Sequence, residues 1–187
     1  MNVVELHRRA CEGFDERVEA ISDDQWDAPT PCPDWDVRAL VGHLVTENCW
    51  TPPLLEGSTI EAIGDRFDGD LLGADPKNAW ARSVKGALDA VQAEGAMERT
   101  VHLSSGEATG SDYTWQLFAD HLIHAWDLAR ATNNDERLDP ELVSACSDWF
   151  TSMEHGYRQS GAITERPDVP DDAGPQTELL AMFGRMA

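Results

Sequence analysis

The stretch FADHLIHAWDLARAT, residues 118–132, decides the expected fold of this chain. At the helical step of about 100° per residue, one side of the stretch collects apolar side chains that include Leu122 and Trp126. The other side is not simply polar, because Asp120 and His124 lie there among leucine and alanine residues. A helix that is apolar nearly all round is typical of the interior of a bundle. We therefore expect a buried helix that carries a carboxylate and an imidazole one turn apart.

Apolar residues recur at three- and four-residue steps in other segments, which predicts further amphipathic helices. Either Asp34 or Asp36 can cap the second helix, and Pro52–Pro53 is expected to kink or end it. The helix with the opening stretch is expected to begin after a cap at Ser111 or Asp112. The remaining predicted helices cover residues 2–21, a segment from Asp75 to Gly95, residues 139–157 and the closing segment TELLAMFGR.

The segments between the helices show little strand pattern. Residues 56–76 are rich in glycine and aspartate and are interpreted as a surface loop, and only TVHL, residues 100–103, is strand-like. Four long helices joined by loops are typical of a helical bundle. We therefore predict an all-α protein in which residues 1–187 form a single domain.

The charge balance argues against two classes of partner. The chain has 35 acidic and 14 basic residues, a formal net charge of −21. Such an anionic surface repels nucleic-acid phosphates and acidic membrane leaflets. The apolar runs are far shorter than the roughly 20 residues of a membrane span, and the N-terminal segment does not resemble a signal peptide. We expect an acidic cytoplasmic protein with no nucleic-acid or membrane partner.

The four cysteines, Cys11, Cys32, Cys49 and Cys146, lie far apart in the sequence and form no CxxC pair. Zinc-finger spacing is therefore absent. In a chain without a secretion signal, such cysteines are expected to be buried small hydrophobic residues rather than halves of disulfides.

A carboxylate in or near the core needs a partner, because burying an unpaired charge is very costly. Asp120 could form a salt bridge with Arg130 or another arginine. It could accept a hydrogen bond from a neighbouring side chain, with His124 merely packed beside it. The third possibility is a metal ion bound by both residues, since positions i and i+4 share one helix face. The spacing alone leaves all three open.

A third metal ligand would have to come from another helix. The segment LVGHLVTEN places His43 at the edge of an apolar helix face, with Glu47 one turn further along the same edge. His43 alone is equally consistent with a histidine at the edge of the core. His121 could support the site through a hydrogen bond or replace one ligand. The other histidines, His7, His102 and His155, are interpreted as structural or surface residues.

Several segments resemble a known family in the order in which they occur from Thr30 to Arg185. They are TPCPDWDVRALVGHLV, RFDGDLLGADP, FADHLIHAWDLARAT and LLAMFGR. Together they resemble the metal-binding N-terminal domain of mycothiol-dependent maleylpyruvate isomerase, and more closely its stand-alone actinobacterial relatives in the DinB/YfiT-like superfamily. The resemblance implies a DinB-like four-helix bundle with a short additional C-terminal helix and tail.

The resemblance also implies a metal site. Matched to the family's motifs, His43, Asp120 and His124 would bind one divalent metal, Zn2+ above all, with Ni2+ or Fe2+ as alternatives. The isomerase is expected to have a glutamate where this chain has Asp120, and the shorter side chain could alter the coordination. Three protein ligands leave a position open, which is the pattern of catalytic zinc.

The implied function is that of a thiol-dependent enzyme. The resemblance implies mycothiol as a thiol cosubstrate and a transferase, isomerase or hydrolase-like reaction on a small molecule. Glu47 would act as a proton shuttle or orient His43, although it could equally be a solvated helix residue. Asp127 and Arg130 are interpreted as a structural pair or caps near the site.

Two further expectations qualify this function. Maleylpyruvate itself does not carry over as the substrate, because the isomerase has a second, C-terminal domain that this chain replaces with a short helix and tail. The alternative is a non-catalytic metal-binding bundle in which the ion is structural or sensory. A homodimer is compatible with the superfamily.

Overall fold

Helices account for most of the computed structural model, which describes residues 1–187. The chain divides into two compact units, residues 1–135 and residues 136–187. The all-α prediction is confirmed, whereas the prediction of a single domain stays a prediction. The first unit contains α1 (Val3–Glu19), α2 (Val37–Leu55), α3 (Ile60–Ile63), α4 (Pro76–Val91), a 3₁₀ turn (Ala96–Glu98), β1 (Thr100–Leu103), β2 (Gly106–Thr109) and α5 (Gly110–Ala131).

Four long helices of the first unit form the bundle. α1 packs along α5 and α2 packs along α4, while α2 also contacts α5 and α1 also contacts α4. Large side chains fill the space between them, and Phe14, Trp80, Phe118 and Trp126 are almost completely buried. α5 has buried residues on every side, as its apolar pattern predicts. His124 is among these buried residues, whereas Asp120 is only partly buried.

The N-terminus of α5 differs from the sequence prediction. The helix begins at Gly110 and its cap is Thr109, so the predicted caps, Ser111 and Asp112, are wrong. The Thr109 hydroxyl accepts a hydrogen bond from the backbone N–H of Asp112, and the Asp112 carboxylate accepts one from the backbone N–H of Thr109. This reciprocal pair is a capping box. Asp112 therefore supports the helix start from inside the first turn.

The second helix behaves as its sequence indicates at both ends. Asp36 is the cap of α2, and its carboxylate accepts a hydrogen bond from the backbone N–H of Ala39 at 2.7 Å. Pro52 and Pro53 lie inside the last turn, and α2 ends at Leu55. The prolines are tolerated there because only the final backbone hydrogen bonds of the helix are lost.

The connections contain more regular structure than predicted. β1, the predicted strand, pairs in antiparallel register with β2, which the sequence analysis missed. The residues of β2, GEAT, are largely exposed and lack an alternating apolar pattern. The predicted loop over residues 56–76 contains the short helix α3, whose cap is Thr59. The hairpin and α3 both follow the end of α2.

The second unit contains three short helices: α6 (Pro140–Phe150), α7 (Glu154–Gln159) and α8 (Pro175–Met182). The prediction of a single helix over residues 139–157 is wrong, because a turn at residues 151–153 separates α6 from α7. α6 packs against α8, and the Phe150 and Phe183 rings stack with centroids 4.0 Å apart. None of the helices in either unit combines the length and apolar character required to span a bilayer.

The start of α5 depends on a close approach at Gly110. A Cβ added to Gly110 would lie 1.9 Å from the backbone oxygen of Ala96 in the 3₁₀ turn. We expect Gly110→Ala to lower the free energy of unfolding by about 1–3 kcal/mol, because the backbone must shift to relieve the overlap. Denaturant titration followed by circular dichroism measures this change.

Gly156→Ala is the matched control for this substitution. It adds the same methyl group to a helical glycine with no atom within 4 Å of the new Cβ. We expect it to be neutral or slightly stabilising, since alanine favours helix over glycine. Equal stability of Gly110→Ala and the unmodified protein would contradict the proposed close contact.

Candidate metal centre

The side chains predicted to bind a metal converge between α2 and α5. His43 comes from α2, and Asp120 and His124 come from α5, one turn apart. His43 Nε2 lies 3.0 Å from Asp120 Oδ2, and His124 Nε2 lies 3.3 Å from Asp120 Oδ1. One ligand atom from each residue lies within 4.8 Å of the other two. The structure thus brings the three together, and their role as metal ligands stays a prediction.

Asp120 is compensated by the two imidazoles. Each of its carboxylate oxygens faces one of them, so both oxygens are engaged. The Arg130 guanidinium instead lies over the Trp126 ring, 5.1 Å from its centroid. Of the partners considered for Asp120, the structure thus favours histidine over arginine.

The charges of this group depend on one another. Burial opposes a charge on Asp120, but His43 and His124 outweigh it and hold the pKa of the carboxyl well below its ordinary value. Burial likewise opposes a charge on His124, but Asp120 outweighs it and raises the pKa of the imidazole. His43 behaves in the same way, with a raised pKa. The carboxylate is therefore ionised and attracts positive charge to both imidazole nitrogens that face it.

The second nitrogen of His124 has its own acid partner. His124 Nδ1 lies 2.9 Å from Asp127 Oδ2, and Asp127 is completely buried. The Cys32 thiol donates to the same oxygen, at 3.3 Å. Donation from Nδ1 to a carboxylate leaves Nε2 directed at Asp120, an arrangement that commonly orients ligand histidines. From its sequence context Asp127 was interpreted as part of a structural pair or a cap, although its i+3 spacing from His124 indicated a possible contact.

A tryptophan from the proline-rich loop covers the two histidines. The Trp35 ring lies 4.9 Å from the His43 ring and 5.8 Å from the His124 ring, measured between centroids. Thr30 holds the loop in place, because its backbone N–H and its hydroxyl both donate to the Trp35 carbonyl oxygen. Trp35 and Cys32 were not predicted as parts of the site, because a loop without periodicity does not show which way its side chains point.

The site is nevertheless accessible to solvent. The His43 and Asp120 side chains are 27% and 31% exposed, whereas His124 is 9% exposed. Two imidazoles and a carboxylate are ligands that zinc and other borderline divalent metals accept. Partial exposure distinguishes this group from a closed structural site, in which side chains fill every position around the ion.

Glu47 connects the group to a cavity. It lies one turn after His43 on α2 and lines a cavity of about 270 Å³. Burial raises the pKa of the Glu47 carboxyl, and the negative charge of Asp120 raises it further. The other residues that line the cavity include Trp50, Ser104, Ser105, Tyr113 and Gln116. A protonatable acid thus stands between the charged group and a space that can hold a small molecule.

The remaining histidines lie elsewhere. His121 is buried on α5 and contacts His7 of α1, with ring centroids 5.2 Å apart. His7 was interpreted as a structural or surface residue; it is buried, with Cys11 and His121 beside it. His102 faces Glu107 across the hairpin, with Nδ1 and Oε1 3.6 Å apart. His155 is exposed on α7.

Residues 7–129 match the sequence pattern of the mycothiol maleylpyruvate isomerase N-terminal domain. Two uncharacterized proteins of Mycobacterium tuberculosis, from strains CDC 1551 and H37Rv, are each 29% identical over 191 residues. Each match covers 99% of this chain and 98% of the relative. The broad match supports a shared domain but names no reaction.

Two solved structures have a similar fold. One is the mycothiol-dependent maleylpyruvate isomerase, with a TM-score of 0.62 and 17% identity over 76% of this chain and 65% of that chain. The other is a histidine-to-alanine mutant of a mycothiol-dependent maleylpyruvate isomerase, with a TM-score of 0.58 and 17% identity over 67% of this chain and 59% of that chain. The matches span less than two thirds of the isomerase chains, and at this identity they show the fold alone.

The buried acid partner of His124 can be tested without any metal. We expect Asp127→Ala to lower the free energy of unfolding of chelator-treated protein by about 3 kcal/mol, because two buried donors lose an acceptor. Denaturant titration measures the loss. Asp89→Ala, which removes an exposed carboxylate from α4, should change stability by less than about 0.5 kcal/mol. Equal effects of the two substitutions would contradict the role given to Asp127.

Proposed function

Because the chain belongs to the mycothiol maleylpyruvate isomerase N-terminal domain family, we propose that it is a divalent-metal-dependent enzyme that uses a low-molecular-weight thiol. The thiol in this proposal is mycothiol, and the reaction is a thiol-dependent transfer or isomerisation, or a hydrolase-like variant. The observation that carries it is the convergence of His43, Asp120 and His124. Glu47, one turn after His43 on α2, lines a cavity. The proposal includes a cytoplasmic location, where thiols remain reduced.

His43, Asp120 and His124 would hold the metal. Their nitrogen and oxygen donors favour Zn2+, with Ni2+ or Fe2+ as alternatives. The three side chains suit a cation, because Asp120 already favours positive charge on the two imidazoles that face it. A bound metal ion would take the place of the protons that carry this charge. When bound, the metal would supply a Lewis acid that lowers the pKa of a thiol or water in its open position.

The residues around the ligands would keep them in position. Asp127 accepts from His124 Nδ1 and so holds the imidazole in one tautomer and one orientation. Trp35 covers one side of both histidine rings and excludes water there. The exposed side of Asp120 then defines where a thiol and a substrate approach.

Glu47 is the candidate acid–base residue. Its raised pKa brings proton exchange closer to neutral pH, and it lines the cavity directly. In this role Glu47 takes a proton from the incoming thiol and returns one to the product. Its position one turn from His43 keeps it on the same side of α2 as the ligand.

The cavity limits the substrate to a small molecule. Its volume of about 270 Å³ lies just below the roughly 300–1,000 Å³ of drug-sized ligand sites. Trp50 and Leu54 supply an apolar wall, while Ser104, Ser105 and Gln116 supply hydrogen-bonding groups. A small polar metabolite with one apolar side fits this lining.

Metal content tests the first half of the proposal. We expect about one divalent ion per chain in protein purified without added metal, measured by elemental analysis. His43→Ala should lose this ion, because two ligands from one helix bind far more weakly than three. His102→Ala, which removes a histidine of the hairpin, should retain it. Near-zero divalent metal in all three proteins would overturn the proposal.

Thiol activation tests the second half. We expect mycothiol to give sulfur-to-cobalt charge-transfer absorption with Co2+-loaded protein, and the loaded protein to accelerate reaction of mycothiol with 1-chloro-2,4-dinitrobenzene. Glu47→Gln should slow this reaction by about 100-fold or more, because proton transfer is lost. The absorption should persist in this variant.

Glu56→Gln, an exposed glutamate just beyond α2, is the matched control and should retain full activity. A protein that binds Co2+ but gives no absorption change with mycothiol would be a metal-binding bundle without thiol chemistry. That result would favour a structural or sensory ion over an enzyme.

A further inference from the structure

A second group of metal-binding side chains lies in the core between α1 and α5. His7 and Cys11 are one turn apart on α1, and His121 faces them from α5. None of the three is more than 2% exposed. One ligand atom from each lies within 4.8 Å of the other two. We propose that His7, Cys11 and His121 form a second metal site, which binds Cu(I).

His121 presents an unused lone pair in this group. Its Nδ1 lies 2.7 Å from the Leu117 carbonyl oxygen, which only accepts, so Nδ1 carries the hydrogen. A neutral imidazole with its hydrogen on Nδ1 keeps a free electron pair on Nε2. That Nε2 is buried and has no hydrogen-bond partner. A buried polar atom of this kind calls for a ligand, and a metal ion is the partner that an imidazole lone pair suits.

The geometry of the α1 pair fits a shared ion. His7 Nε2 lies 3.4 Å from Cys11 Sγ. Two donors with bonds of about 2.0 Å and 2.3 Å to one ion lie roughly 3.7 Å apart at the 120° angle of a three-coordinate site. The helix therefore holds a nitrogen and a sulfur at a separation that needs little adjustment on binding.

The surroundings select a monovalent ion. The Phe14 and Trp80 rings lie 6.3 Å and 5.9 Å from the His121 ring, so aromatic groups wall the site. The three donors include no carboxylate, and the neighbouring Asp120 is engaged by His43 and His124. A divalent ion with one thiolate would leave a net positive charge in this apolar core, which is costly.

Cu(I) with one thiolate is neutral and avoids that cost. Cu(I) also prefers soft thiolate and imidazole ligands. In the free site the Cys11 thiol holds its hydrogen, as an ordinary cysteine does at neutral pH. On binding, the Cys11 S–H bond breaks, a Cys11 S–Cu bond forms and the proton leaves to solvent. The copper remains Cu(I) throughout, so no oxidant or reductant is needed.

Anaerobic competition for Cu(I) tests the site. The probe is Cu(I) held by the chromophoric chelator bicinchoninate. We expect the full-length protein to remove one equivalent of Cu(I) that the Cys11→Ala variant does not remove. X-ray absorption at the copper edge of the loaded protein should show one sulfur and imidazole nitrogen around the ion. This measurement uses the unmodified protein, so it does not depend on how well the variant folds.

Matched cysteine variants separate this site from other thiols. Cys146→Ser removes a buried thiol of α6 and should leave Cu(I) uptake unchanged. Cys32→Ser removes the thiol beside His124 and should also leave it unchanged. Loss of uptake in Cys32→Ser together with retention in Cys11→Ala would overturn the proposal, as would the absence of uptake or of sulfur at the copper edge.

The site is independent of the proposed function. His43→Ala removes a predicted divalent ligand but none of the Cu(I) ligands. We therefore expect this variant to lose the divalent ion and keep its equivalent of Cu(I). If His43→Ala retains the divalent ion while Cys11→Ala loses Cu(I), only the assignment of His43 is refuted. If His43→Ala loses the divalent ion while Cys11→Ala retains Cu(I), only the copper site is refuted.

Discussion

The centre of this protein depends on one constraint: a carboxylate inside a helical bundle must meet positive charge. Asp120 satisfies it with two imidazoles, one from α2 and one from its own helix. The interaction with His43 joins α2 to α5, so the packing of these two helices also positions the residues of the site. Any change in the packing of α2 against α5 would therefore disturb both.

His124 extends this constraint along α5. It lies between two acids of its own helix, with Asp120 one turn before it and Asp127 one turn after it. Each ring nitrogen faces a different carboxylate, which favours the protonated ring and defines its orientation. Asp127 is fully buried, whereas Asp120 is partly exposed. The two aspartates that face His124 thus differ in their access to solvent.

The features that could be predicted from sequence are those that depend on residues close together along the chain. Helical spacing indicated the buried α5 and the pair Asp120 and His124, and the family resemblance added His43. Spacing could not show how α1 meets α5, so the proximity of His7 to His121 was missed. Trp35 was missed because its loop has no periodicity.

The boundaries were less predictable than the elements, since cap-forming residues cluster near helix starts. Thr109, Ser111 and Asp112 all have suitable side chains, and only the backbone conformation selects Thr109. The second strand of the hairpin was missed because its polar residues pair through the backbone alone.

The hairpin turn and the bundle would contribute differently to the proposed enzyme, the turn to substrate selectivity and the bundle to reactivity. Ser104 and Ser105 line the cavity from the two-residue connection between β1 and β2, whereas His43, Asp120 and His124 belong to the bundle. Replacement or lengthening of this turn changes one wall of the cavity without moving a helix. Under the proposed function, selectivity can therefore diverge among homologues through this exposed hairpin while the helices conserve the reactive centre.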